Sequence, residues 1–146
     1  MTGQQKLLLL FIGAENREID PIRIMKGQFI LSKETPGSWL SPDMRYHFVP
    51  YSFGPCSFEI YSDLDSLERQ NLIRGTQPPQ QSWKNYAVSN DPGNRELESV
   101  RNEFRPELLK YVLEVRRFVD SLNFRALLTA VYKKYPDYAV NSVFRF

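Results

Sequence analysis

The chain has 146 residues and is 42% apolar, with 8 Tyr and 10 Phe, which fits one domain or one domain with an appendage. This composition can build a buried core and excludes an intrinsically disordered protein. A net charge of +2 is too weak a bias to imply nucleic acid binding by itself, and a single cysteine excludes an internal disulfide.

The sequence gives no sign of membrane insertion or secretion. The apolar run near the start, LLLLFI at residues 7–12, is far shorter than the roughly 20 residues of a membrane span. A basic segment ahead of this run, which a signal peptide needs, is nearly absent. We therefore expect a cytoplasmic protein with no membrane partner, consistent with its low cysteine content.

Two helices are predicted at the start of the chain. Residues 6–14 form a short, almost wholly apolar helix that we expect to be buried on most sides. Asp20 followed by Pro21 is typical of an N-cap and a first helical residue, and helical spacing of apolar residues continues to about Ser32. The second helix is expected to pack on the first.

A loop, a short strand and a turn follow. Residues 35–43 are rich in Pro, Gly and Ser and predict a loop. The alternating, aromatic residues 45–51 predict a short strand, and Phe53-Gly54-Pro55 predicts a turn. We expect the aromatic residues of this region to lie in the core or, alternatively, to line a partner or ligand groove: Trp39, Tyr46, Phe48, Tyr51 and Phe53.

One amphipathic helix follows the turn. Ser57 suits an N-cap position, and Glu59 in the first turn suits the positive end of a helix dipole. The predicted buried stripe comprises Ile60, Leu64 and Leu67, widened by Phe58 and Tyr61. Residues 72–74 and 83–89 then predict two strands of a long hairpin, because Pro78-Pro79 between them excludes a helix or a central strand.

The rest of the chain is predicted to be helical. Residues 94–105 form a polar helix, Pro106 kinks or restarts it, and Asn123 can cap a last helix that ends at Pro136. The strongest periodicity of the chain is the stripe Leu108, Val112, Val115, Val119 and Leu122. This stripe either packs inside the chain or forms the seam of a homodimer, flanked by Arg116 and Arg117, and we favour the dimer.

The order of elements predicts a mainly α protein with a small β-hairpin, of the α+β class. A winged helix-turn-helix domain is expected over residues 1–92, followed by a C-terminal helical extension over residues 93–146 that packs or dimerises. In the winged plan the third helix reads DNA and the hairpin is the wing.

Three segments have a recognisable pattern: IMKGQFIL at residues 24–31, FVPYSFGP at residues 48–55, and the helix from Tyr61 to Ile73. In these segments the chain resembles small prokaryotic winged-helix proteins of the YwgA-like and SocA (Panacea antitoxin) types. The tail FRALLTAVYKKYPDYAVNS at residues 124–142 is similar as well. The resemblance implies a winged-helix fold in a DNA-binding regulator, or in an antitoxin-like or chaperone-like protein.

The preferred function is double-stranded DNA binding by a dimeric transcription regulator. On the third helix, the predicted contacts are Ser57, Glu59, Ser62, Ser66, Arg69 and Gln70. Elsewhere, they are Lys26 on the second helix and Arg74, Gln80, Gln81 and Lys84 on the hairpin. The charge counts oppose this function, since residues 56–92 hold 3 basic and 5 acidic side chains. The alternative is a protein-binding adaptor or antitoxin-like partner that has kept the fold without binding DNA.

Catalysis, a metal and a cofactor are not expected. His47 is the single histidine and stands in an aromatic stretch with no His or Cys spacing typical of a metal site. A nucleophile pair of Cys56 and His47 has no further support in the sequence. Asp63 and Asp65 point in different directions on a helix, and no Gly-rich phosphate loop is present.

Overall fold

A computed structural model describes residues 1–144, which form an α+β fold with six α-helices and two separate two-stranded antiparallel sheets. The helices are α1 (Gly3–Ile12), α2 (Pro21–Glu34), α3 (Phe58–Arg69), α4 (Gly93–Arg101), α5 (Pro106–Ser121) and α6 (Phe124–Lys134). The strands are β1 (Val49–Tyr51), β2 (Gly54–Cys56), β3 (Ile73–Thr76) and β4 (Asn85–Val88). Short 3-10 helices lie at Pro42–Met44 and Pro136–Ala139. The mainly α class with a small hairpin is therefore confirmed.

α1 is the buried centre of the fold. Residues 7–12 are each at most 3% exposed, as predicted from their unbroken apolar run. The helix begins at Gly3 rather than residue 6, because Thr2 and Gln5 form a capping box with two hydrogen bonds of 3.1 Å. α2 crosses α1 closely at Gly27, where an added Cβ would lie 2.1 Å from the Phe11 ring. The predicted packing of the two helices is confirmed.

α2 begins where the sequence predicts. The Asp20 Oδ1 atom accepts a hydrogen bond from the Arg23 backbone N–H at 2.9 Å, and Pro21 occupies the first helical position. The Arg23 side chain donates to the backbone oxygens of Val119 and Leu122 at 3.0 and 2.6 Å. These bonds tie the start of α2 to the end of α5.

A first hairpin stands between α2 and α3. The predicted strand at residues 45–51 is shorter than expected, and only Val49–Tyr51 pairs, with Gly54–Cys56 as its partner strand. The predicted turn at Phe53-Gly54-Pro55 is misplaced, since Gly54 and Pro55 already belong to β2. Gly54 has φ of +88°, a conformation that favours glycine.

The predicted apolar stripe of α3 is buried, but the two aromatic residues predicted to widen it are exposed. Ile60, Leu64 and Leu67 are at most 1% exposed. Phe58 and Tyr61 are 53% and 47% exposed, so the expectation that they join the buried stripe is wrong.

The second hairpin follows the predicted plan. β3 pairs with β4 from Ile73 opposite Val88 to Thr76 opposite Asn85. Tyr86 also exchanges two backbone hydrogen bonds of 2.9 Å with Ile19, just before α2. The outer part of β4 is therefore anchored to the segment just before α2, and the loop beyond it places Gln81 and Trp83 near the start of α2.

The apolar stripe on α5 is buried by packing within the chain. Leu108, Val112, Val115 and Val119 are at most 5% exposed in the single chain, and Leu122 is partly buried. The buried apolar cluster is continuous from Leu7 to Val131, so the C-terminal helices share the core of the N-terminal ones. The assignment of this stripe to a dimer seam is wrong, because α1 and α2 already cover it.

The end of the described chain folds back on the first hairpin. The Val143 backbone N–H donates to the Ser52 oxygen at 3.0 Å, and the Tyr132 hydroxyl lies 2.6 Å from the Ser142 hydroxyl. Within residues 1–144, no helix combines the length and apolar character needed to cross a membrane.

Candidate functional site

Two predicted DNA contacts are inside the protein. Lys26 is 2% exposed, and its ammonium donates to the Pro55 carbonyl oxygen at 3.1 Å. Burial lowers the pKa of Lys26 to about 8. Ser57 is also 2% exposed, and its side chain makes no capping hydrogen bond. The prediction that Lys26 and Ser57 contact DNA is therefore wrong, since neither can reach a partner in this conformation.

The other predicted contacts on α3 share its outer face. Glu59, Ser62, Arg69 and Gln70 are exposed, and Ser66 is partly buried. The Gln70 side-chain amide donates to the backbone and hydroxyl oxygens of Ser66 at 3.2 and 3.1 Å. These two residues thus bond each other across one turn.

The second hairpin places the remaining predicted contacts beside α3. Arg74, Gln80 and Gln81 are exposed on it. The Lys84 ammonium lies 3.1 and 3.2 Å from the two carboxylate oxygens of Glu68 on α3. Lys84 therefore joins the hairpin to the helix and is neutralised within the chain.

Some carboxylates of α3 bond other side chains of the protein, and others form no ion pair within residues 1–144. Asp63 accepts hydrogen bonds from the Tyr46 hydroxyl at 2.6 Å and the Gln5 amide at 3.0 Å. Glu59 and Asp65 are exposed and form no ion pair with any of residues 1–144. The outer face of the helix consequently presents unpaired negative charge.

Exposed aromatic rings surround this helix. We call them the aromatic surface: Tyr51, Phe53, Phe58, Tyr61 and Trp83, which are 42–53% exposed. Tyr51 and Phe58 meet edge to face with ring centroids 5.2 Å apart. Burial is the main cause that raises the pKa of Tyr61, with a further contribution from Tyr51 nearby. The surface therefore runs from the first hairpin across α3 to the second hairpin.

A groove runs through the aromatic surface. Its volume is about 730 Å³, and its walls come from the start of α2, α3, the second hairpin and the start of α6. Phe53, Tyr61, Trp83 and Phe124 line it, and the Asp20–Arg23 ion pair of 2.7 Å stands beside them. A groove of this size and aromatic character can hold the side chains of a partner.

Of the five aromatic residues predicted to lie in the core, some are buried and others are exposed. Tyr46 is buried and Trp39 and Phe48 pack against the core, whereas Tyr51 and Phe53 are exposed. Sequence reasoning missed Phe58, Tyr61 and Trp83 as surface residues. A usable signal was the fact that Ile60, Leu64 and Leu67 already complete a stripe without the two rings of α3.

The side chains considered as a nucleophile pair differ in exposure. Cys56 is 6% exposed, and burial raises the pKa of its thiol more than the nearby Lys26 lowers it. His47 is exposed. Among residues 1–144, no group of three or more His, Cys, Asp or Glu side chains is placed to hold a metal ion.

Comparison of the chain with protein-family models, with curated proteins and with solved structures found no match in any of the three.

Proposed function

We propose that the protein is a non-catalytic binding module, an adaptor or antitoxin-like partner, whose aromatic surface docks another protein. The observation that carries the proposal is the exposure of five aromatic rings along and beside α3. Contiguous exposed apolar patches mark interaction sites, and aromatic residues supply much of the binding energy of protein interfaces. Isolated surface apolar residues would carry no such weight.

The order of elements supports this proposal. α1, α2 and α3 followed by the β3–β4 hairpin have the chain order of a winged helix-turn-helix domain, in which α3 and the hairpin form the binding side. The resemblance to SocA-type proteins points the same way, because it implies antitoxin-like partners among its functions. In such a plan the aromatic surface lies where a ligand is bound.

The charges favour protein over DNA as the partner. Phosphate binding needs free Lys and Arg side chains, and affinity depends on how many phosphates they neutralise. Lys26 is buried and Lys84 is paired with Glu68, while Glu59 and Asp65 stand exposed and unpaired among the described residues. The exposed acidic and aromatic face suits a partner with apolar anchors and basic neighbours.

Duplex DNA binding is the second candidate. Arg69 and Arg74 are exposed near the base of the β3–β4 hairpin, and Gln80 and Gln81 face solvent in its tip. These side chains have the chemistry for phosphate and minor-groove contacts. A dimer that reads two half-sites would need an interface other than the α5 stripe, since that stripe is buried within one chain.

A variant pair separates the two candidates. Tyr61→Ser with Trp83→Ser removes two exposed rings, and Arg69→Glu with Arg74→Glu reverses two exposed charges, so both double variants should fold. Affinity capture from cells of the source organism should recover a specific protein with the wild type and the charge variant. The ring variant should lose it, because truncating anchor residues weakens binding by about 30-fold or more.

DNA binding is tested with a random duplex in mobility shift assays at about 50 and 150 mM salt. Our proposal expects no salt-dependent shift and no difference between wild type and the charge variant. Strong duplex binding that the charge variant abolishes and the ring variant keeps would establish the second candidate instead. Capture that is equal for wild type and the ring variant would remove the aromatic surface from the proposal.

A further inference from the structure

A second concave site lies between α2, α5 and α6. It is a cleft of about 300 Å³, and it shares no lining residue with the groove of the aromatic surface. The rings of Tyr111, Phe118 and Tyr135 line it, with apolar side chains below them and the carboxylates of Glu34 and Glu114 beside them. Phe118 is 44% exposed, so one wall of the cleft is open to a ligand. The volume is at the lower end of ligand pockets, which span about 300–1,000 Å³.

The two carboxylates of the cleft differ in their partners. Both oxygens of Glu34 are engaged, one by the Lys134 ammonium at 2.6 Å and the other by the Tyr135 hydroxyl at 3.1 Å. Glu114 is exposed and has no ion-pair or hydrogen-bond partner among residues 1–144. With Lys134 compensating Glu34, the cleft retains one unpaired negative charge.

Both carboxylates act on the same phenol. Burial is the main cause that raises the pKa of Tyr111, and the charges of Glu34 and Glu114 raise it further. Both carboxylates therefore lie close enough to influence Tyr111, which lines the same cleft, and the raised pKa keeps the phenol protonated at neutral pH. A ligand seated on this ring is within the field of Glu114.

The cleft already shows how a cation is held there. The Lys134 ammonium lies 5.9 Å from the centroid of the Tyr135 ring while it pairs with Glu34. This combination of an aromatic face and a carboxylate is the usual setting for binding an ammonium group. Lys134 is 61% exposed, so its ammonium sits at the rim and leaves the apolar interior unfilled.

We propose that this cleft binds a small organic monocation, with an apolar body against Tyr111 and Phe118 and its ammonium group beside Glu114. The apolar rings provide area for the body of the ligand, and the unpaired carboxylate selects its charge. An organic anion is disfavoured by Glu114, and a neutral ligand of the same shape lacks the charge interaction.

Two probes of equal size test the charge selection. 2-Phenylethylammonium and 2-phenylethanol have the same number of heavy atoms and differ in charge. Each is titrated into the 15N-labelled protein, and binding is followed by shifts of the backbone amide signals of Glu114 and Phe118. The ammonium should bind about fivefold more tightly than the alcohol, the gain expected of one exposed ion pair with an aromatic contact.

Two substitutions of opposite expected sign test the assignment. Glu114→Gln should weaken ammonium binding about fivefold and leave alcohol binding unchanged. Lys134→Met removes the internal cation but keeps an apolar stem, so it should strengthen ammonium binding by a similar factor. Glu98→Gln is the matched control, because Glu98 is an exposed carboxylate on α4 away from the cleft. It should bind both probes like the wild type.

The two cleft substitutions have opposite expected effects on ammonium binding, and this distinguishes a specific role from a loss of structure. A merely structural disturbance would weaken binding in both variants of the cleft, whereas the proposal requires one loss and one gain. Equal affinity for the two probes, shifts confined to other parts of the protein, or no binding of the ammonium probe would each overturn the proposal. The proposed protein docking surface is unaffected by any of these results, because the cleft contributes no residue to it.

Discussion

Arg116 joins the C-terminal helices to the end of α1. Its side chain has no solvent exposure, and its guanidinium donates to the backbone oxygens of Phe11, Ile12 and Arg17 and to the carboxylate of Asp120. The first two oxygens belong to the last turn of α1, where helix carbonyls lack intrahelical partners. One buried side chain therefore completes a helix terminus and an ion pair at once.

Arg116→Met tests this role. The substitution keeps an apolar stem of similar length but removes the 2.9 Å partner of the Asp120 carboxylate, which is 11% exposed and retains Arg17 at 3.9 Å. Removing one partner of a buried ion pair costs about 3–5 kcal/mol. For a chain of this length the loss corresponds to a fall of about 10–16 °C in Tm.

The assay is equilibrium unfolding in urea, with a thermal melt followed by circular dichroism. Arg117→Met is the matched control, since the neighbouring Arg117 is 66% exposed and pairs with Glu15 at 2.7 Å on the surface. That pair should contribute no more than about 1 kcal/mol. If the two variants unfolded at the same urea concentration, the buried guanidinium would not hold α5 to α1 as argued.

Three further changes follow from the packing. Gly54→Ala should cost about 1–3 kcal/mol in urea unfolding, because φ is +88° and the new Cβ would lie 2.8 Å from the Tyr132 ring. Tyr46→Phe should cost about 1.5–3 kcal/mol in the same assay, since the 2.6 Å hydrogen bond to the Asp63 carboxylate is lost. The difference in unfolding free energy between the wild type and Lys26→Met should depend on pH. The pKa of Lys26 is lowered to about 8, so the folded wild type bears the cost of a buried ammonium below pH 8. This cost is relieved as pH rises toward the unfolded value of 10.5, and the wild type should gain about 1.5 kcal/mol on the variant between pH 8 and 9.5. A stability difference that stays constant over that range would contradict the assignment.

The sequence predicts those features that depend on neighbouring residues. Asp20 and Asn123 cap α2 and α6 as expected, because a capping side chain bonds a backbone N–H only three residues away. The buried stripe of α3 and the β3–β4 hairpin are likewise local patterns of spacing and turn chemistry. The order of elements follows from these signals except for β2, which occupies part of the segment predicted as a turn.

Features that depend on distant segments are not predictable in this way. The stripe on α5 has the same spacing whether it meets α1 and α2 or a second chain, and only the tertiary arrangement decides between them. Lys26 has the residue type of a phosphate contact, yet its ammonium bonds the Pro55 oxygen, which lies 29 positions further along the chain. Phe58 follows the spacing of a buried stripe, yet its ring is 53% exposed and packs on Tyr51 of the first hairpin.

The number of free cations on α3 and the second hairpin limits the affinity with which these two elements could bind DNA. Of the basic side chains predicted to meet phosphates, Lys26 is buried and Lys84 is paired, which leaves Arg74 with Arg69 on the neighbouring helix. Two phosphate contacts give a salt slope of about −1.8, so affinity would fall only about twelvefold between 50 and 200 mM salt. Proteins with 6–10 phosphate contacts lose affinity by a factor of roughly 10³–10⁵ over that range. Two contacts would therefore provide a much weaker electrostatic attraction to DNA. The exposed rings offer apolar area in its place, and apolar area is what a protein partner buries.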